Sequence, residues 1–576
     1  MVRGTIIRSD RQRLATAGIY IIALLLLCMP SVSAQETPLL NPNLIETDAP
    51  PAMTGTSASS AAFSVQKPNT PPENADNVNF TFTSLSFTGA SIINETKLFD
   101  LWPYQAGQVI SVADIFTFAD SVTNLYRAKG YALSFAMVPA QQIQSGQVQI
   151  DIIEGWLDEI DIQSENLSQN TKDHIKASFT SLSANRPATI SALERFLLLV
   201  NDLPGISARG IISPGKTDAA SSLTLIVEDN PIEGSVSYND YLSDTLGNDL
   251  YSLNVAANGM LTGRDSLTVD ASRSPDTNVF KSQSVSYDTY LNDGDMQLLL
   301  SALQSSTKPD TGTLAASNFE SQADTQSIEI RKNWLRSRQK NLHFGGNITV
   351  SDSTSKTGGT ETSADKTHTA TLYADYDADI INNQKLFLKL SLESGLDAFN
   401  SRGNSRQSAK LNHQLLGLDG QFLRPLYTNG TDNFEADLSF KLRQMISDHA
   451  ALAGAECSFG GPSFGSAFDS GTLNGENCAL ASLKLRWNHV LTGHDALTDG
   501  IIQFIARLDA GTVSQQGQLI AGEVRSQDAA SWGIGATVIL KSGFSLAIER
   551  SVQIKNPTEP KKEGKGKTNL RVSYNY

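Results

Sequence analysis

The chain has 576 residues, with 60 acidic against 45 basic side chains and a formal net charge of -15. That length exceeds one ordinary soluble core, so several domains or one large closed sheet are expected. The acidic balance argues against a nucleic-acid partner, because neutralising phosphates takes concentrated Lys and Arg.

Arg3, Arg8, Arg11 and Arg13 precede the apolar run from Ile19 to Met29, and Ser-Val-Ser-Ala closes at Ala34. This order predicts a secretory signal peptide over residues 1–34. The apolar run is shorter than the roughly 20 residues a bilayer-spanning helix needs. Cys28 is a poor lipoprotein site, since Leu27 stands where a small residue is required. Residues 35–77, rich in Pro, Ser, Thr and Ala, read as a flexible linker.

From Asn79 the pattern becomes strand, helix, helix, strand, strand over residues 78–156. NFTFTSLSFTG alternates like a strand, and Ile115, Phe118, Val122 and Tyr126 recur at helical spacing until Gly130. YALSFAMVPAQQI and QVQIDIIEG follow as two strands joined by a turn at Gln144 to Gly146. Residues 157–230 repeat the order: LDEIDIQ, two helices in NTKDHIKASFTSL and TISALERFLLLVNDLPG, then ISARGIIS and LTLIVED. A repeat of this length predicts two small α+β domains in series.

Over residues 231–576 helical periodicity gives way to two-faced strands. Phe434, Ala436, Leu438, Phe440 and Leu442 alternate with Glu435, Asp437, Ser439, Lys441 and Arg443; Leu386 to Leu392 and Leu483 to Trp487 behave alike. Mean hydropathy is -0.20. A transmembrane barrel keeps such an average because lipid-facing and lumen-facing residues alternate. Long strands separated by loops such as TSKTGGTETSADKTH favour an outer-membrane β-barrel of about 16 strands over a soluble sandwich. The terminal TNLRVSYNY turns Leu570, Val572, Tyr574 and Tyr576 to one side, with tyrosines suited to the interfacial girdle.

Gly461-Pro462-Ser463-Phe464-Gly465 fits the Gly-x-Ser-x-Gly elbow of hydrolases, but no strand-to-helix context follows it. No metal or phosphate motif is present, so no cofactor, metal or catalytic residue is expected. The Lys-rich run from Lys561 to Lys567 reads as a solvated loop between strands. Cys457 and Cys478 flank a glycine-rich stretch, and in an exported chain such a pair is expected to form a disulfide.

GYALSFAMVPAQQIQSGQVQIDIIEGWLDEI, with Gly130, Tyr131, Pro139, Gln141, Gly146, Glu154 and Gly155, resembles the polypeptide-transport-associated (POTRA) domain of the ShlB/FhaC/HecB hemolysin secretion/activation family. ALERFLLLVNDLPGISARGIISPG, with Leu203, Pro204 and Gly205, is similar to that family's second such domain. The resemblance implies a two-partner secretion transporter in the outer membrane of a Gram-negative bacterium. Its POTRA domains would lie in the periplasm and bind a secreted partner exoprotein, an adhesin or hemolysin, which a 16-stranded barrel exports without ATP. Further partners implied are outer-membrane lipid, lipopolysaccharide and the barrel-assembly machinery. A barrel-assembly insertase of the same superfamily, or a passive pore or receptor, is the alternative.

The family folds a loop between its eleventh and twelfth barrel strands back into the barrel, with an Arg-Gly-aromatic tip. FGSAFDSGTLNGE is similar, with Gly465, Ser466, Ala467, Phe468, Gly475 and Glu476 as the loop motif, but Ser466 stands at the arginine and Ala467 at the glycine. The resemblance makes Asp509, in FIARLDAG, the wall partner of the missing arginine. Asp509 then needs another donor, with Arg507 or Lys484 as candidates. A Cys457–Cys478 disulfide restraining the loop in place of that ion pair is the working hypothesis, under which Ser466→Arg should change export little.

Overall fold

The computed structural model describes residues 70–576 apart from 144, 218, 277, 407, 408, 494, 518, 520–523 and 559–563. The signal peptide and most of the expected linker lie outside the described residues, as do Gln144 and the first three residues of the Lys-rich run.

The first module comprises β1 (Asn79–Thr81), β2 (Ser84–Thr88), α1 (Glu95–Phe99), β3 (Val109–Ser111), α2 (Val112–Ala128), β4 (Phe135–Met137) and β5 (Gln147–Ile153). β5 lies between β2, to which it is parallel, and β4, to which it is antiparallel. Ser111 starts α2 in a capping box with Asp114, satisfying two amides that the helix itself cannot. The residues expected on its apolar face, Ile115, Phe118, Val122 and Tyr126, are buried against Val148, Ile150 and Ile152 of β5.

Two expected strands are shorter in the fold. NFTFTSLSFTG is broken into β1, which pairs with β3, and β2, which pairs with β5. YALSFAMVPAQQI forms a ladder only at β4. Pro139 lacks the N–H that would continue it, and the Gln141 side chain takes over, donating to the Gln149 carbonyl and accepting from the Gln149 amide, both at 2.8 Å.

The second module repeats this plan with β6 (Trp156–Gln163), α3 (Gln169–Ser183), α4 (Ile190–Asn201), β7 (Ile206–Pro214) and β8 (Ala220–Asp229). β8 lies between parallel β6 and antiparallel β7, so the sequence repeat is a topological repeat as well.

Sixteen antiparallel strands then close into a barrel. They are β9 (Ile232–Asn239), β10 (Leu250–Asn258), β11 (Asp265–Arg273), β12 (Phe280–Leu291), β13 (Met296–Thr307) and β14 (Phe319–Arg336). β15 (Lys340–Thr357), β16 (Thr360–Ile380), β17 (Gln384–Gly395), β18 (Gln414–Thr428) and β19 (Asp432–Met445) follow. After two short strands, β20 (Cys457–Phe459) and β21 (Leu473–Gly475), come β22 (Asn477–Leu491), β23 (Gly500–Ser514), β24 (Ser526–Leu540), β25 (Phe544–Lys555) and β26 (Gly566–Asn575). β26 closes on β9 from Arg571 to Asn575.

The alternation sorts the two faces. Leu390, Leu392, Leu442, Trp487, Phe504 and Tyr574 are exposed on the outside, whereas Asp437, Ser482, Arg507, Asp509, Ser531 and Ser551 are buried inside. One expectation is corrected: TSKTGGTETSADKTH is a tight hairpin between β15 and β16, turning at Gly358 and Gly359, both at positive φ. Its Ser, Thr and Lys residues carry no apolar face, which is why paired strands read as a loop.

The second module docks on the turns at the end of the barrel where β9 begins. Arg336, at the end of β14, makes a two-pronged contact with Asp202 at 2.8 and 2.7 Å. Thr171 donates to the Gly263 carbonyl at 2.8 Å, and His174 Nδ1 lies 3.0 Å from the Arg264 guanidinium.

Candidate functional site

The chain between β19 and β22 turns back into the barrel. β20 and β21 pair with each other, and a disulfide joins Cys457 to Cys478 at the foot of β22. Between them the tip from Gly460 to Thr472 lies against the inner wall. Phe459, Phe468 and Leu473 pack with Leu480, Val513 and Ala529 of β22, β23 and β24, and the Phe459 and Phe468 rings meet edge-on at 5.5 Å. Gly465 has φ of 92°, and a Cβ there would stand 2.6 Å from the Phe459 ring, so the turn requires glycine. Ser463 sits in this irregular tip and not on a strand-to-helix elbow.

Asp509 is the hub. Its side chain is fully buried, and one oxygen accepts from the Ser466 amide at 3.1 Å, the Ser466 hydroxyl at 3.4 Å and Ser531 at 3.2 Å. The other oxygen accepts from Arg507, with Nη2 at 2.8 Å and Nε at 3.3 Å. Arg507 also donates to the backbone carbonyls of Pro462 and Ser463, at 3.0 and 3.1 Å, and lies 3.6 Å from Glu549. One wall cation therefore neutralises the carboxylate and grips the loop backbone. Lys484, the other candidate donor, sits across from Arg507 and makes no hydrogen bond or ion pair with a described residue.

The tip reaches across four strands. Ser466 Oγ is 2.6 Å from Ser551 Oγ of β25, its carbonyl accepts from Asn569 of β26 at 3.1 Å, and Gln553 donates to the Ala467 carbonyl at 2.9 Å. Lys567, from the expected Lys-rich loop, lies within β26 and pairs with Asp469 at 2.7 Å.

Gly465, Ser466, Ala467 and Phe468 are thus brought to Arg507 and Asp509, but Gly475 and Glu476 are not. Gly475 ends β21, and Glu476, fully buried, is ion-paired with Arg406 from the loop between β17 and β18. It also accepts from the amides of Gln516 at 2.9 Å and Ala451 at 3.2 Å. Gly475 and Glu476 lie in the same loop, but β21 leads from its tip back to its base, so these last residues serve a different contact. Arg406 was missed because its partner is 70 positions away in the chain.

The module residues fall at joints. Tyr126, Ser91 and Ile92 all donate to Glu154, with the Tyr126 hydroxyl and the two backbone amides each at 2.9 Å. Burial alone would raise the Glu154 carboxyl, but the hydrogen bonds from Ser91, Ile92 and Tyr126 outweigh it and hold the group below the usual range. Gly155 approaches Leu133 so closely that a Cβ would stand 2.2 Å from its carbonyl oxygen. The carbonyls of Gly130 and Gly155 accept from Ile190 at 2.8 Å and Ala188 at 2.9 Å, joining the modules. Tyr131 packs edge-on to Tyr126, and Gly146 turns into β5. Leu203 is buried, and beside Pro204 the Gly205 carbonyl accepts from Asn230 at 2.7 Å, next to Asn258 of the barrel.

Residues 80–155 match the POTRA domain of ShlB type, and residues 222–538, over half of the chain, match the haemolysin secretion/activation protein ShlB/FhaC/HecB. The chain belongs to that family. It is therefore an outer-membrane β-barrel protein of the two-partner secretion transporter family, with POTRA domains on the periplasmic side. Among relatives, the heme/hemopexin transporter protein HuxB of Haemophilus influenzae is 30% identical over 123 residues, covering 21% of this chain and 22% of HuxB. The outer membrane transporter CdiB of Escherichia coli is 24% identical over 201 residues, covering 35% of this chain and 34% of CdiB. The chain thus spans only about a fifth to a third of the length of these curated relatives. The fold of CdiB from Escherichia coli superposes with a TM-score of 0.69 at 16% identity, over 100% of both chains.

Proposed function

We propose that this protein exports one large partner protein, of adhesin or hemolysin type, across the outer membrane by two-partner secretion. In this reading residues 78–156 and 157–230 form the POTRA domains, which receive the unfolded partner in the periplasm, and residues 231–576 form the barrel it crosses. The observation that carries it is the tip around Ser466, laid across β23 to β26 inside a closed barrel and held by reversible contacts. Such a loop closes the resting pore, and yielding to a passing chain requires breaking hydrogen bonds, the contact centred on Arg507 and Asp509 and the Lys567–Asp469 ion pair, with the Cys457–Cys478 bridge left intact.

Family membership and the transporter descriptions of HuxB and CdiB support the same reading. No catalytic residue is assigned. Outer-membrane lipid and lipopolysaccharide surround the barrel in this reading, and the barrel-assembly machinery inserts it.

Deleting the gene and comparing secreted proteins tests the proposal. Loss of one large exported protein, restored by the full chain, is the expected result. General loss of outer-membrane barrels would instead identify an insertase, and an unchanged secretome would leave only a passive pore or receptor.

A further inference from the structure

The outer face of β22 to β26 carries a feature that neither the loop nor the modules use. Two rows cross these strands in register: Trp487, Phe504, Ala536 and Ile548 in one, and Leu485, Ala506, Ile534, Arg550 and Thr568 in the other. Ala506 and Ala536 leave a shallow floor between larger neighbours, opening a groove of about 660 Å³. Trp487 and Phe504 stack along one end at 5.5 Å, and Arg550 stands at the other.

Arg550 interrupts an apolar, outward-facing column on β25, between Ile548 and Val552. A charge facing hydrocarbon is unfavourable at mid-depth and tolerated where it reaches the headgroups. The aromatic residues locate that level. Phe544 pairs with Tyr574 at the periplasmic end and Val552 with Trp532 near the outer end. The separation from 544 to 552 is about 27 Å along the strand and about 20 Å in height for a tilt near 40°. Arg550 lies one outward position below the Trp532 level, and its guanidinium reaches upward over Gly566, where an added Cβ would stand 2.7 Å away. One of its nitrogens donates to Thr568 at 2.9 Å. Among the described residues its other donors have no partner.

We propose that this groove binds one phosphate-bearing, multi-acyl lipid of the outer leaflet. The free N–H groups of Arg550 hold its phosphate by charge-assisted hydrogen bonds, and an acyl chain lies over Ala506 and Ala536. The charge decides the occupant: a hydrocarbon alone leaves the guanidinium uncompensated, and a zwitterionic lipid brings its phosphate together with a cation that offsets it. The site lies behind the strands whose inner faces hold Ser466, and it rests on the outer-membrane reading.

The test uses the detergent-purified full chain, mixed with bis-phosphorylated hexa-acyl lipid A or with phosphatidylcholine, and counts retained lipid by native mass spectrometry. Barrel integrity is followed by heat-modifiable gel mobility. The wild type should retain lipid A in preference to phosphatidylcholine. Arg550→Gln should lower retention about tenfold or more, and Ala536→Trp, which fills the groove and leaves Arg550 in place, should lower it too. Equal retention of the two lipids overturns the proposal, as does undiminished retention in folded Arg550→Gln. Displacement of the lipid by millimolar inorganic phosphate would mark a free-anion site and contradict it as well. Retention is independent of export, so a secretome that fails the transporter reading leaves this result interpretable.

Discussion

Two arginine–aspartate pairs hold the second module and the loop tip against the barrel, and they are connected differently. Arg336 and Asp202 belong to different bodies, the barrel and the second module, so the pair itself is the joint. Arg507 and Asp509 lie two residues apart on one strand, so their attraction joins nothing to the loop. The tip is held because Arg507 has donors left for the Pro462 and Ser463 carbonyls, and Asp509 has an oxygen left for Ser466. A joint made by a pair breaks when either member is lost. A joint made by the surplus capacity of a pair survives only while that pair also stays neutral.

The largest effect should come from Arg507→Ser, which strands a fully buried carboxylate and removes two loop contacts. Losing one member of such a pair costs about 3–5 kcal/mol, enough to undock the tip. Single-channel recording in planar bilayers should show a larger and longer-lived open conductance, with the POTRA modules still folded. Arg336→Met should act at the other joint, where a partly exposed Asp202 loses charged hydrogen bonds worth about 1.5–3 kcal/mol. Faster amide exchange in α4, with channel conductance unchanged, would separate the two joints; a conductance change would merge them.

A smaller effect follows from pH at the second joint. Burial, and then the charge of Arg264, hold His174 below its ordinary value of 6.5, against a weaker opposing pull from Asp293. The undocked histidine therefore binds protons more readily than the docked one. Docking is at full strength above about pH 6.5 and weakens as pH falls through the lower docked value. Protection of the α3 amides, taken relative to their intrinsic exchange at each pH, should fall between pH 7.5 and 5.5 in the wild type and stay flat in His174→Asn.

The legibility of these regions in the sequence follows their range. Alternation made the barrel readable because each strand sorts its own residues between lipid and lumen, as Leu442 and Asp437 do on β19. The helices of both modules were readable for a similarly local reason, apolar residues at helical spacing, and the structure adds Ser111 and Thr189 as their caps. The β15–β16 hairpin was missed because its tip is polar on both sides. Arg406 with Glu476, and Arg336 with Asp202, left no local signal: each pair depends on loops or bodies meeting in space. Ser466 was legible only as a departure, and its position beside Ser551 and Asn569 changes its meaning. There is little room for an added arginine beside Arg507, so Ser466→Arg alone should now disturb the tip, contrary to the expectation from the disulfide alone.

Arg507, on the wall, stands in for the arginine that the family resemblance places at Ser466. A double-substitution cycle reads it directly: channel conductance in the wild type, Ser466→Arg, Arg507→Ser and the double variant. Both single variants should be more open than the wild type, and moving the arginine back to the loop in the double variant should restore most of the closed state. A double variant as open as Arg507→Ser, or an Arg507→Ser barrel as closed as the wild type, would contradict it.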